Sequence, residues 1–519
     1  MIKYFVLTIL SAITLVSISA QTTLSGRVRN AVTGEYILGA NVIIENNTSG
    51  VSTNLYGFYS LSLPEGEHSV KYSFIGFESL TVNVNMTESR VKDVDLVPQT
   101  VEIKGAYIIG DKGENTNSTE LGSTVVSIET IKSLPALFGE VDVLKVIQLL
   151  PGIQSSGEGN TGFYVRGGGP DQNLILLDNA AVYNASHLFG FFSVFNADAL
   201  SNVAVHKGTM PARYGGRISS VLDISLREGN RREYKVNGGV GLISARLTVE
   251  GPIKKDTSSF IFSARRTYID VLTRPFAKGT SAEGSGYYFY DLNAKINHRF
   301  SEKDEVFLSA YLGRDIASFT STDAGFGAHI PWGNAIASLR WNHLFNDQLF
   351  LNMNVSYTDY DFAFEGEQEE FSFGFNSGIE DWSYKSTLNY YPNSRHEIKG
   401  GVEYVFHEFM PTDFFARNGD TPIEFGTSGV THSHESSAFL ESDFEVNEFL
   451  KIYSGLRYSD FRHVGPFTRY SPDYTDLDST VYGKGELVKK YGGFEPRISA
   501  RIKTGTYSSI KAGFSENYQ

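Results

Sequence analysis

Four groups of side chains have types and spacings that can do chemistry. His432-Ser433-His434 puts two imidazoles on one face of an extended segment, the beginning of a metal-ligand set. No third ligand stands beside them, so a solvated loop–strand junction is the better reading. The segment 362–380 carries Glu365, Glu367, Glu369, Glu370 and Glu380 with no Lys or Arg. Such a loop attracts a cationic ligand or a divalent ion, or simply keeps itself solvated. Gly167-Gly168-Gly169-Pro170 is glycine-rich like a phosphate cradle, but no Lys-Ser/Thr follows and no helix opens on it, so it reads as a tight turn. The aromatic residues of 271–286, 362–380 and 411–434, all Phe, carry rings that can stack on sugars, heterocycles or metal chelates, or on one another. No nucleophile–base–orienter set and no paired-carboxylate site stands out. The absence of Cys removes thiol catalysis, zinc–thiolate and iron–sulfur chemistry together. No catalytic residue, cofactor or resident metal is expected.

Composition narrows the class. The chain has 519 residues and a net charge of −14, the wrong sign for a nucleic-acid surface. Aromatic residues are in excess, with 37 Phe and 29 Tyr, and Gly is high at 51. A mean hydropathy of −0.19 argues against a bundle of apolar helices.

The elements that must position these residues fall into zones. Residues 1–20, with Lys3, an apolar run and Ser19-Ala20, read as a secretory signal peptide. Residues 21–98 hold short alternating strands such as 24–28, 40–44, 59–63 and 69–74 between turn residues, the pattern of a small β-sandwich. Residues 99–120 read as a polar linker. Within it, 101–109 has strand chemistry without an adjacent hairpin partner; another protein's sheet edge could complete it, or it is the last strand of the sandwich. Residues 121–230 mix types. Val141, Leu144, Ile147 and Leu150 have helical spacing stopped by Pro151-Gly152, and 174–177 and 203–205 are buried-strand candidates.

From 231 to 519 about thirteen strands follow, near 232–241, 243–253, 258–270, 287–300, 304–314, 334–346, 349–361, 381–391, 396–410, 435–446, 449–461, 493–504 and 507–517. Short turns alternate with long loops at about 271–286, 315–333, 362–380, 411–434 and 462–492. That asymmetry predicts an up-and-down transmembrane β-barrel in contact with outer-membrane lipid. Phe300, Phe345, Tyr390-Tyr391 and Phe461 fall where interfacial aromatic girdles belong.

With these zones in place, the chain resembles the TonB-dependent outer-membrane receptors of Bacteroidetes type. Gly34-Glu35, Gly39-Ala40-Asn41-Val42 and Asn54-Leu55-Tyr56-Gly57-Phe58-Tyr59 look like the carboxypeptidase-regulatory-like sandwich often fused ahead of them. Leu149-Leu150-Pro151-Gly152-Ile153, Val165-Arg166-Gly167-Gly168, Leu176-Leu177-Asp178, Lys207-Gly208-Thr209-Met210 and Pro211-Ala212-Arg213-Tyr214-Gly215-Gly216-Arg217 look like the plug. The resemblance implies a mainly β fold: a barrel at the bacterial outer membrane, an α/β plug inside it and a sandwich before it. It implies a receptor that imports an extracellular ligand when TonB, driven by an inner-membrane motor, rearranges the plug. A non-transporting binding or adhesion protein of the outer membrane is the alternative. Val101, Glu102, Ile103, Lys104, Gly105, Ala106, Tyr107 and Ile108 are the implied TonB-interacting segment, joined by strand addition. Plug arginines pair with barrel glutamates in this family, which makes Arg166 and Arg213 latch candidates and Glu495 and Glu516 their candidate partners. The family barrel has 22 strands; an odd, unclosed count ending at Asn517-Tyr518-Gln519 predicts a C-terminally truncated sequence.

Overall fold

The computed structural model describes residues 22–519 apart from 46–49, 55, 100–117, 135–138, 158–159, 426–428, 471–478 and 506–507. The N-terminal zone is a β-sandwich. Thr22–Asn30 pairs with Phe58–Leu63, Arg90–Val91 and Val94–Leu96 in one sheet, while Gly50–Ser52, Asn41–Ile44, Gly66–Ser73 and Leu80–Met86 form the other in that order. Alternation drives Leu24, Val28, Val42, Leu61, Val70 and Met86 into the space between the sheets. Two tyrosines join this core because their hydroxyls satisfy each other, Tyr59 to Tyr72 at 2.9 Å.

The second zone is an α/β unit with the strand order Ala180–Ala181, Asn173–Leu177, Ser220–Leu226, Leu200–Lys207, Ser123–Ser127. The helical spacing near 141–150 produces only a short helix, Val143–Ile147, whose first turn is capped by the Asp142 carboxylate at 3.0 Å from the Lys145 amide. Val143, Leu144 and Ile147 pack on Val203, Val205, Leu222 and Ile224. Tyr311 and Ile336 from the surrounding wall belong to the same apolar cluster, so the plug core is shared with the barrel.

The wall is one 14-stranded antiparallel sheet. Its meander comprises β1 (Lys235–Val240), β2 (Ser244–Lys254), β3 (Ser258–Thr267), β4 (Gly286–Arg299), β5 (Asp304–Ser321), β6 (Phe326–Asn346), β7 (Leu349–Gln368), β8 (Phe371–Asn393), β9 (His396–Asn418), β10 (Thr431–Glu445), β11 (Leu450–Val464), β12 (Leu487–Gly505) and β13 (Ser508–Ser515), with Thr421–Ile423 folded back on β9. Within the membrane band the outward residues are apolar and open to lipid, Leu308 at 51% and Val402 at 49% exposure. Inward neighbours such as Asp291, Asn293, Lys295 and Asn297 are polar and buried under the plug.

Strand lengths differ from the sequence reading. β6, β7, β8 and β9 have 21, 20, 23 and 23 residues, whereas a tilted crossing takes about 9–11. Most of the expected loops at 315–333, 362–380 and 411–434 are therefore strands continuing above the membrane. The loop at 271–286 contains a helix, Ile269–Ala277. Two of the expected girdle residues turn inward instead. Tyr391 is buried against the sandwich, and Phe461 lies 6.4 Å from the inward ring of His407.

The sandwich is docked on the rim where the short turns lie. Phe58 and Tyr56 stack on Phe350 with centroids at 5.5 and 5.4 Å. Ser25 Oγ donates to Asp347 at 2.9 Å, and Tyr36 Oη donates to Glu305 at 2.8 Å. Arg231, at the joint between plug and wall, reaches Glu305 at 2.6 Å and Glu228 at 2.9 Å beneath the Tyr36 ring.

Candidate functional site

The Pro211–Tyr214 stretch of the plug is gripped by the inner wall. Arg213 Nη1 is 3.0 Å from Glu441 of β10, and its backbone amide donates to the same carboxylate at 2.5 Å. Glu120 flanks the guanidinium at 3.5 Å. Burial alone raises the pKa of Glu120, but His206 first and Arg213 second outweigh it and hold the carboxyl well below its ordinary range. Lys385 of β8 donates to the Arg213 carbonyl at 2.8 Å, Tyr453 of β11 accepts from the Ala212 amide at 2.7 Å, and Arg497 of β12 donates to the carbonyls of Met210 and Tyr214 at 3.1 and 2.8 Å. A Cβ at Gly215 would lie 2.3 Å from Arg457 Nε, so a larger residue there must displace that guanidinium.

A second clamp lies higher in the lumen. Plug residue His187 is fully buried between two wall carboxylates, with Nε2 at 2.7 Å from Asp291 and Nδ1 at 2.5 Å from Asp315. Burial lowers its pKa, yet Asp291 and then Asp315 outweigh burial and raise it to about 9, so the imidazolium persists at neutral pH. Phe289 stacks on the ring at 4.0 Å. Arg265 of β3 completes the cluster, 2.5 Å from Asp291 and 3.3 Å from plug residue Glu140. A third tie joins plug Asp178 to wall Lys295 at 2.9 Å. These contacts are polar and exchangeable for water, unlike the apolar cluster in which Tyr311 and Ile336 of the wall join the plug core.

Directly after His187 the chain adopts the left-handed conformation at two successive non-glycine residues, Leu188 (φ 50°) and Phe189 (φ 52°). The Leu188 amide is held by Tyr287 Oη at 2.6 Å and Asp315 at 3.0 Å. The strained turn lifts Phe189 to 58% exposure beside Trp332, centroids 4.8 Å apart. From Trp332 an aromatic face climbs the inside of the strand extensions: Phe362 at 6.5 Å, then Phe375 at 5.8 Å, with Phe364 and Phe414 each within 6 Å of Phe375. Their register opposite inward Trp332 puts all of these rings on the lumenal side. Here the alternation is inverted relative to the membrane band. Glu365 and Glu367 point outward between the inward Phe residues, which locates the acidic segment on the wet outer surface and the rings inside.

Among the residues singled out from sequence, Arg213 meets a wall glutamate, but it is Glu441. Glu495 is taken by Arg497 at 2.8 Å on the same face of β12 and by Arg457 at 3.7 Å. Glu495 and Arg497 are two apart on one strand, a spacing that already marks them as mutual partners. Glu516 is exposed and accepts from Tyr518 Oη at 2.9 Å. Arg166 is exposed, packs beside Gly208, and makes no ion pair among the described residues. His432 faces Glu408 at 3.5 Å and His434 bonds Tyr404 at 2.7 Å, so the two imidazoles are held separately. Val101–Ile108 lies outside the described residues. Sequence reasoning did not single out His187, Asp315 or Glu441; Asp291 was visible only as one of several polar residues on one face of its strand.

Residues 115–221 match the TonB-dependent receptor plug domain, and residues 24–107 match the CarboxypepD_reg-like domain. The chain thus carries a TonB-dependent receptor plug domain behind a CarboxypepD_reg-like domain, and it is similar to TonB-dependent receptors. The chain is 28% identical over 243 residues to the TonB-dependent receptor SusC of Bacteroides thetaiotaomicron, covering 42% of this chain and 23% of that one. It is 26% identical over 239 residues to the TonB-dependent receptor P39 of Formosa agariphila, covering 44% and 22%. The chain thus spans less than a quarter of the length of these curated relatives in the matched region. Among solved structures, the copper transporter OprC shares the fold at a TM-score of 0.55 and 13% identity, over 76% of this chain and 64% of OprC.

Proposed function

We propose that this receptor binds an extracellular ligand on the aromatic face above the plug and admits it to the periplasm when TonB, pulling on Val101–Ile108, releases the plug. The observation that carries this reading is the polar character of the plug–wall contacts at His187, Arg213 and Asp178. An apolar seal resists withdrawal in proportion to its area, whereas buried ion pairs hold firmly at rest and exchange partners with water once displaced. The exposed rings of Phe189 and the wall suit a ligand with flat, weakly polar faces, such as a sugar ring or an aromatic chelate. In this reading the protein is a transporter, not an enzyme. Arg213 with Glu441 is the latch nearest the pulled end.

Deleting Val101–Ile108 in cells is the direct test. Uptake of an extracellular ligand found to bind the receptor is expected to stop while surface binding of that ligand persists. Unchanged uptake in the deletion would refute TonB-driven import.

A further inference from the structure

The chain passes from plug to wall through residues 227–232, which lead from the plug strand Ser220–Leu226 toward β1. This joint has no regular structure, yet Asn230 is fully buried and Arg231 is only 2% exposed. Buried backbone groups must find partners, and here they are divided by side. The carbonyls face the wall. Leu226 accepts from Lys295 at 2.9 Å, Glu228 from Asn297 at 2.7 Å and Ser259 at 2.8 Å, and Arg231 from the Asp256 amide at 2.9 Å. The amides face the sandwich. Glu228 and Gly229 both donate to the Glu35 carboxylate, at 3.0 and 3.2 Å, and Arg231 donates to the Thr33 carbonyl at 2.7 Å.

The side chains repeat the division. Three arginines of the joint each bridge a group on the sandwich to a carboxylate on the wall. Arg227 lies 3.6 Å from Glu35 and 2.7 Å from Glu250. Arg231 sits 4.8 Å over the Tyr36 ring and 2.6 Å from Glu305. Arg232 is 2.5 Å from Asp95 and 3.0 Å from Asp256, and it also donates to the Ala31 carbonyl. The sandwich turn that supplies most of these groups is fixed within its own domain, since Asn30 Oδ1 accepts from the Val32 and Thr33 amides at 2.8 and 3.3 Å. Gly34, at φ 76°, brings that turn against the joint, where a Cβ would lie 3.2 Å from Arg231 Cβ.

We propose that the sandwich is a removable clasp on the plug–wall joint, with Glu35, Tyr36 and Asp95 as positioning residues that hold the C-terminal end of the plug against the wall. Closed, the clasp leaves the plug free to move only from its N-terminal edge. Open, it frees the last plug strand as well, so the position of the sandwich sets how much of the plug can be displaced. Removal is feasible because it strands no buried charge. Each arginine keeps its wall carboxylate, Asp95 keeps Arg29 at 2.8 Å, and the three joint amides that lose a partner turn to water. The inference rests on the plug being a moving part, as proposed above, yet its test needs neither TonB nor ligand, so the two can fail separately.

The test is hydrogen exchange on the full chain in detergent micelles at one pH, read at the Leu226 amide. That amide donates to Asp178 within the plug at 3.1 Å, so it reports release of the plug strand itself. E35A/D95A is expected to speed its exchange by about tenfold, the smallest factor expected when one hydrogen bond to a charged group is lost. F350A acts at the aromatic stacks under the sandwich and is expected to speed it in the same direction. Joining S25C to D347C, at side chains that lie 2.9 Å apart in the native pair, with a short bismaleimide should restore wild-type exchange in F350A. Circular dichroism should show all variants folded. Unchanged Leu226 exchange in E35A/D95A overturns the inference. So does unchanged exchange in F350A when spin labels at Glu67 and Glu302 show the sandwich off the rim. Fast exchange in F350A that persists with the bridge in place overturns it as well.

Discussion

Deleting the charge of the His187 clamp should loosen the plug from above, and the structure sets the size of the effect. The docked imidazolium titrates at about 9, against about 6.5 for a released histidine. A folded pKa above the released value means the stabilisation is complete below pH 6.5 and is lost as pH rises through 9. The full term is about 3 kcal/mol at 1.36 kcal/mol per unit, falling to about 2 kcal/mol at pH 7.5 and to nearly nothing by pH 9.5. Hydrogen exchange reads it directly, because the Leu188 amide donates to Asp315 and Tyr287 and the Phe191 amide donates to the Leu188 carbonyl. After correction for intrinsic rates, protection of these two amides should drop about 20-fold between pH 7.5 and 9.5. His187→Phe keeps a ring over Phe289 and removes the cation. It should lower protection at pH 7.5 by a similar factor and abolish the pH dependence. The His187→Phe comparison assigns the pH dependence to the imidazolium. A protection profile flat across this range in wild type, or one equally steep in His187→Phe, would refute the clamp.

Three further outcomes test the lower contacts. Glu441→Ala leaves the Arg213 guanidinium with only Glu120 at 3.5 Å and should cost about 2–4 kcal/mol of plug docking; the exchange Arg213→Glu with Glu441→Arg should recover part of it in the same thermal-melt measurement. Gly215→Val drives a side chain into Arg457 and should destabilise by about 1–3 kcal/mol, seen as faster exchange of the Tyr214 amide. Phe350→Ala removes both aromatic stacks under the sandwich and should cost about 3–5 kcal/mol. Because the chain has no Cys, spin labels at Glu67 and Glu302 would report the sandwich leaving the rim as a broadened distance distribution.

Period-two alternation was legible wherever one face meets lipid and the other meets the plug, which is why the meander could be counted from Leu349–Tyr357 and Tyr290–His298. It failed above the membrane, where β7 and β8 keep pairing but Glu365 and Glu367 now face water and Phe362 and Phe364 face the lumen. That inversion looks like a loop in sequence because neither side matches the pattern below it. The pairing of Arg213 with Glu441 depends on which of several inward carboxylates the plug meets. Nothing local encodes that height. Docking of Tyr56 and Phe58 on Phe350 brings together residues almost 300 positions apart, and each alone reads as an ordinary strand aromatic.

The position of Glu120 and Arg213 has a mechanical consequence if force arrives from the N-terminal side. Ser123–Ser127 is the edge strand of the plug sheet, and it pairs antiparallel with Leu200–Lys207 so that Ser123 meets His206. Gly122, where the load enters, and Gly208–Arg213, where the wall resists, are therefore at the same end of this strand pair. Load applied at one end of an antiparallel pair opens its hydrogen bonds in succession, like a zipper, whereas load at opposite ends would shear all of them at once. The pull would meet the Glu120 contacts first and then peel a single edge strand, while Arg227 and Arg231 stay anchored to Glu250 and Glu305. Under such a load the plug would give way at low force from one side and remain tethered at the other.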